Sequence, residues 1–249
     1  MPAPQAPPKL PPIQQNDEFT LVNPGAAAPN VPTARELATV FRILGAQYTT
    51  HPLHVFPEQH FQVLVATVLS ARTRDPATNE AMARLWQRAG GDGHEVRPEH
   101  LLAIPEKELA ALLRPVGFYF TKAKHLHALC TALLERFDGA VPRTRDELLE
   151  LPGVGRKVAN LVLNICFDTA AICVDVHVHR IVNRLGWIVS KDPLDTEHKL
   201  MALLPEKYWS PTNLVLVNHG QQVCQPIVPQ CSRCAIYKHC ARVNVLKNR

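Results

Sequence analysis

The chain has 249 residues, 46% of them apolar, and 27 Lys and Arg against 22 Asp and Glu, a formal charge of +5. That content supports a real core in one or two domains. No apolar run approaches the roughly 18 residues of a membrane span, and the N-terminus has neither a secretory apolar stretch nor the Arg-rich, acid-free makeup of a transit peptide, so a cytosolic chain is expected (nucleoid-associated in a bacterium).

Residues 1–32 hold nine prolines, one Lys and two acidic residues. Such a stretch cannot bury enough apolar surface to offset its ordering entropy and reads as a disordered arm. The remainder carries 26 basic and 20 acidic residues, an excess of six that favours a polyanionic partner, though only modestly.

From Thr33 onward the apolar spacing is helical, with no convincing strand. Thr33-Ala34-Arg35-Glu36 is a capping-box pattern opening the first helix. Phe61 to Ala71 is apolar enough for a core helix. Asp75-Pro76 reads as N-cap and first-turn proline of a helix through Arg88. Pro105-Glu106 opens another helix, stopped at Gly117, and Thr121 to Phe137 forms the next, stopped at Gly139. Thr144 to Glu147 is a second capping-box pattern, before a short helix through Glu150 and a longer one from about Arg156 to Phe167. Asp175 and Ser210-Pro211 cap two further helices. Short connections imply a compact all-α fold.

The turn Pro152-Gly153-Val154-Gly155 lies between two helices rather than after a strand, which removes the dinucleotide and P-loop readings. A helix-hairpin-helix is left. Its glycines permit positive φ and keep side chains off the turn, so backbone N–H groups and the following helix N-terminus form an anion site suited to a DNA phosphate. Lys157 falls in the first turn of that helix. A lone helical lysine is usually a solvated surface residue, but here the positive helix end and partial burial both favour the neutral amine. Beside a DNA backbone such an amine can attack a sugar carbon and form a Schiff base. Asp175, within Val174-Asp175-Val176-His177-Val178-His179, reads first as an N-cap. A capped carboxylate stays ionised, so it can also accept a proton or stabilise positive charge on the sugar. His177 and His179 lie two apart on a helix and do not face one metal; His177 is placed in a pocket, His179 in packing or on the surface.

Cys224, Cys231, Cys234 and Cys240 are spaced C-x6-C-x2-C-x5-C, four thiols inside seventeen residues. Zinc prefers paired knuckles, whereas the uneven spacing suits an iron–sulfur cluster wrapped by one loop. Both stay open on spacing alone. Cys130, Cys166 and Cys173 sit singly in apolar surroundings and read as small buried hydrophobes, not as a disulfide framework.

With Leu69-Ser70-Ala71, Gly117-Phe118-Tyr119, Leu151 to Asn160, Val174 to His177 and the cysteine run in this order, the chain from about Thr33 onward resembles the endonuclease III family of DNA glycosylases. The resemblance implies a two-lobed all-α fold with duplex DNA in the cleft between the lobes. One lobe is a six-helix barrel over residues 57–169, with the hairpin near 145–167. The other joins 33–56 to 170–249 and holds a 4Fe–4S cluster on the four cysteines. It further implies Lys157 as nucleophile and Asp175 as its partner, in a monomeric glycosylase and abasic-site lyase acting on oxidised pyrimidines. The damaged nucleotide must be flipped out, and residues from the segments Leu69 to Asp75 and Gly117 to Phe120 then fill the gap. Phe118 suits an apolar wedge, with Tyr119 beside it. The cluster would be structural, since glycosidic cleavage transfers no electrons.

Three positions depart from that pattern. Arg72 stands where many relatives have Gln; it could read an opposite guanine through N7 and O6, or bind phosphate. Phe120 replaces a polar position. The loop Gln225 to Gln230 has no Lys or Arg. Two alternatives stay open: a monofunctional glycosylase of another base class, with Lys157 binding phosphate, and a non-catalytic DNA-structure binder.

Overall fold

The computed structural model describes residues 30–53, 55–90 and 95–249. The expected arm, apart from residues 30–32, lies outside them. Among the described residues, eleven α-helices and three short 3-10 turns make up the regular structure, and no strand occurs. The all-α expectation holds.

The chain divides into two compact units. One spans His51–Cys173 and contains α2 (His60–Ser70), α3 (Asp75–Arg88), α4 (Pro98–Leu102), α5 (Glu106–Leu112), α6 (Tyr119–Phe137), α7 (Arg145–Leu149) and α8 (Arg156–Phe167). Its centre is α2, buried from Val63 through Ser70. A helix apolar on every side has to be enclosed by others, and α2 packs on α3, α6 and α8. Leu64 and Leu69 of α2 are fully buried, as are Leu85, Leu101, Leu126 and Leu148 in the same core.

The other unit joins the chain up to Thr50 with Val174–Arg249. It contains α1 (Ala34–Gln47), α9 (Val176–Leu185), α10 (Pro193–Leu203) and α11 (Trp209–Gln222). Here α11 packs on both α1 and α9. Phe41 of α1 stacks on Tyr208, with ring centroids 4.3 Å apart.

Helix ends follow their capping chemistry where the sequence supplies it. The first capping box is complete: Glu36 N–H donates to the Thr33 hydroxyl at 3.2 Å, and Thr33 N–H donates to the Glu36 carboxylate at 2.8 Å. At the second, Glu147 N–H donates to Thr144 Oγ1 at 3.3 Å, and the Thr144 hydroxyl donates to the Glu147 carboxylate at 2.6 Å.

Several boundaries differ from expectation. Asp75 is the first residue of α3 and Arg74 takes the cap position, with no side-chain cap. Helix α5 ends at Leu112 rather than at Gly117, because Pro115 clashes with a continuing helix and turns the residue before it away from helical angles. α11 begins at Trp209, so Ser210 and Pro211 lie inside its first turn rather than capping it. Two helices were not read from the sequence: α4, and α10, whose Asp192 carboxylate accepts from Asp195 N–H at 2.8 Å.

Candidate functional site

In the His51–Cys173 unit, α7 and α8 are joined by the Pro152–Gly155 turn. Gly153 has φ +80°, and a Cβ there would come within 3.1–3.3 Å of His125 on α6. Gly155 is different. It is the extended cap residue of α8, with φ −100°, and a Cβ on it would meet nothing within 4 Å. Only the first glycine needs positive φ; the second keeps the outer face of the turn open. Val154 is buried and its N–H donates to Leu151 C=O at 3.1 Å, so this residue offers neither side chain nor N–H outward. The hairpin N–H groups left without a side-chain cap are those at the start of α8, the kind of helix end that can accept an anion.

Lys157 is half-buried in the first turn of α8. The helix is held by Asn160, fully buried, whose amide accepts from Arg145 Nε at 2.9 Å and donates to Ile172 C=O at 2.9 Å. The Cys173 thiol donates to the Lys157 carbonyl at 3.4 Å. Burial pushes the Cys130 and Cys166 thiols up to about 12, in keeping with inert apolar packing, although Cys166 is only half-buried.

The same unit carries the two expected gap-filling segments. Arg72 is exposed, with φ +54°. Phe118 has φ +59° and is 63% exposed, and the Arg72 guanidinium carbon lies 5.9 Å from its ring centroid. Tyr119 is half-buried against the core, while Phe120 is exposed, its ring 4.4 Å from that of Tyr119.

In the other unit, Asp175 is the N-cap of α9: its Oδ1 accepts from His177 N–H and Val178 N–H, both at 2.9 Å. His177 Nδ1 is 3.1 Å from Arg180 Nη2, and its ring lies so close to Gly220 that a Cβ there would sit 2.6 Å from Nδ1. His179 turns elsewhere, to the Thr196 hydroxyl at 2.6 Å. The two histidines separate as helical spacing requires. Lys157 belongs to one unit and Asp175 to the other.

All four cysteines of the C-terminal run line one cavity, with Ile181, Leu185, Val223, Ile236 and Val245 as apolar wall. Burial pushes Cys234 up to about 12 and Cys240 up to about 11. Among the described residues no three His, Cys, Asp or Glu side chains converge as the ligands of a metal ion. Arg184 Nη1 donates to Cys224 Sγ at 3.4 Å and to Gln225 C=O at 2.6 Å, and Arg180 donates to Cys224 C=O at 2.9 Å. His219 is buried, with Nδ1 3.3 Å from the Tyr48 hydroxyl and Nε2 3.6 Å from Cys234 Sγ. Burial holds His219 down to about 4, hence neutral.

Sequence reasoning missed Arg180, Arg184, His219 and Lys122, which is considered below. Arg180 and Arg184 lie one turn apart on α9, while Lys122 and His219 are polar positions on the buried faces of α6 and α11. Their partners are mostly backbone oxygens and sulfur atoms tens of residues away, which leave no local signal.

Residues 65–206 match the family described as HhH-GPD superfamily base excision DNA repair protein. Endonuclease III of Thermotoga maritima is 41% identical over 190 residues, covering 74% of this chain and 86% of the relative. Endonuclease III of Bacillus subtilis is 39% identical over 181 residues, covering 72% and 80%. Against the longer Endonuclease III homolog 2 of Arabidopsis thaliana, 40% identical, the match spans 48% of the relative. Among solved structures, a trapped endonuclease III–DNA covalent intermediate in an estranged-adenine complex superposes with TM-score 0.75 at 33% identity, covering 86% of this chain and 98% of that one. A non-covalent endonuclease III–DNA complex gives 0.74 at 33% identity, covering 86% and 97%. With the turn before Lys157, the Asp175 cap and the gathered cysteines on a fold shared over most of both chains, this protein belongs to the endonuclease III family within the HhH-GPD superfamily of base excision repair proteins.

Proposed function

We propose that this chain carries out base excision as a bifunctional enzyme, a DNA glycosylase and abasic-site lyase that removes oxidised pyrimidines from duplex DNA, and that it does so as a monomer. The observation that carries the reading is Lys157 in the first turn of α8, directly after an open glycine turn that no side chain caps, in a chain about 40% identical to endonucleases III. The turn and helix N-terminus hold a phosphate; the lysine amine attacks the sugar C1′; the base leaves; and the resulting Schiff base permits β-elimination, which nicks the strand. Asp175, whose carboxylate accepts from two backbone N–H donors, stabilises the positive charge developing on the sugar. Arg72 and Phe118 occupy the gap left by the flipped nucleotide. His177, held by Arg180 and against Gly220, fills out the pocket around the flipped base rather than binding metal.

The residues present fit a 4Fe–4S cluster. Four thiols line one cavity, and no three of them converge on a single point as the ligands of one metal ion would. Arg184 and Arg242 also line it and offset the excess negative charge that four thiolates would bring. Cys224, Cys231, Cys234 and Cys240 would hold the cluster, which would brace the surrounding loop.

The test is borohydride trapping on duplexes bearing one oxidised pyrimidine or an abasic site, with Lys157→Gln alongside. A covalent complex that forms with the parent protein and is absent from the variant supports the reading. Base release without a trapped species would replace it with a monofunctional mechanism, and binding without either reaction would leave a DNA-structure binder.

A further inference from the structure

The loops carrying Arg72 and Phe118 meet on one buried cation. Lys122, on the fourth residue of α6, is only 7% exposed. Its ammonium donates to Leu69 C=O at 2.7 Å, Ala71 C=O at 2.6 Å and Thr73 Oγ1 at 3.0 Å. A lysine has three donors, and all three are used on the segment that precedes α3. The Thr73 hydroxyl oxygen also accepts from Gly117 N–H at 3.2 Å, the residue before Phe118. The backbones touch at the same place, since a Cβ on Gly117 would lie 3.1 Å from the Arg72 carbonyl oxygen.

These bonds surround two strained residues. Arg72 and Phe118 both sit in the left-handed region, which is unfavourable for any residue that carries a Cβ. Such conformers persist only where their surroundings over-determine them. Lys122 supplies that constraint on the Arg72 side directly, and on the Phe118 side through Thr73 and Gly117.

We propose that Lys122 is a positioning residue that clamps the 69–73 and 117–118 segments into one preformed wedge, so that Arg72 and Phe118 enter a gap in the duplex without first reorganising. The inference rests on the reading of those two residues as gap fillers.

Its test uses the full chain with its cluster. Lys122→Met, close in shape but without donors, and Thr73→Val, which removes only the shared hydroxyl, are compared with the parent protein and with Phe118→Ala. Single-turnover base excision is measured on an oxidised pyrimidine opposite guanine. It is repeated on the same lesion opposite a base-less nucleotide, where no orphan base has to be held. Thermal melts set the assay temperature below every variant's transition. The clamp predicts that Lys122→Met slows excision opposite guanine at least tenfold, but less than threefold opposite the base-less site. Thr73→Val should fall in the same direction by three- to tenfold. A uniform loss on both substrates would make Lys122 a stability residue only. No loss from either variant, with Phe118→Ala still selectively slow, would overturn the clamp and leave the wedge standing. If the parent protein excises from neither duplex, the glycosylase reading fails and this inference with it.

Discussion

The two glycines of the hairpin turn should respond oppositely to the same added methyl. At Gly153, φ is +80°, so Gly153→Ala carries about 1–2 kcal/mol of backbone strain. Its Cβ would also meet the His125 Cβ at 3.1 Å, and a neighbour anchored to its own helix backbone cannot swing away from that contact. Together these give about 2–3 kcal/mol, or roughly 4–12 °C in melting temperature for a chain of this size. At Gly155, φ is −100° and no atom lies within 4 Å of the new methyl. Losing glycine at a cap position costs a few tenths to about 1 kcal/mol, and the stiffer unfolded chain returns about 0.4–1 kcal/mol. Stability should therefore stay within about 0.5 kcal/mol. The methyl would instead project into the open face where a phosphate would sit. Losing one charge-assisted hydrogen bond of about 1.5–3 kcal/mol weakens binding by roughly 10- to 100-fold. The assays are a thermal melt and fluorescence anisotropy on a duplex containing a stable abasic analogue, at fixed salt. Gly155→Ala binding as tightly as the parent protein would refute the phosphate site at this turn.

Asp175→Asn keeps a competent helix cap, so stability should change by less than about 1 kcal/mol while single-turnover excision falls at least 100-fold; equal excision rates would reduce Asp175 to a cap. Leu64→Ala, at a fully buried position of α2, should cost about 3–5 kcal/mol in a urea titration. Burial pulls the Lys122 ammonium down from 10.5 to about 8. The unfolded chain then holds a proton that the folded chain has lost between those values, and stability rises with pH there by up to about 1.4 kcal/mol per unit. Its three oxygen acceptors favour the cation and narrow that window. The difference between parent and Lys122→Met in urea titrations at pH 8 and 9.5 measures this contribution.

What the sequence disclosed was chemistry closed within a few residues. Thr33 with Glu36, Thr144 with Glu147, and the hairpin turn all bond within three or four positions, so residue types in order suffice to place them. Asp75 misled because a good cap residue before proline is also a good first-turn residue, and nothing local separates the two. Gly117 drew attention as a helix stop, but Pro115 had already ended the helix, and the glycine serves a backbone approach to Arg72. Lys122 was illegible for a different reason: its acceptors lie 49–53 residues away, and although it falls on the buried stripe of α6 with Leu126, Leu129 and Leu133, a lysine there gives no sign of what it bonds.

Lys122 is not alone in this use. Arg180 donates to the Gly220 and Cys224 carbonyls, and Arg184 donates to those of Gln225 and Pro226 at 2.6 and 2.5 Å. In each case a helical cation gathers carbonyl oxygens of a segment that has no ladder of its own to satisfy them. This accounts for a cysteine loop that lacks basic residues yet has a defined course: Arg184 of α9 holds its first turn, and the Arg184 carbonyl accepts from Val243 N–H at 3.0 Å beyond the last cysteine. Arg184→Met should therefore leave α9 folded, since methionine is a good helix former, but free the Gln225–Pro226 turn and the sulfur of Cys224. For the proposed 4Fe–4S cluster, the expected result is at least a fivefold faster loss of visible absorbance under chelator, with unchanged far-ultraviolet helicity before the loss. Equal bleaching rates would show that the cysteines alone fix the loop and that the arginine contributes only to the surface.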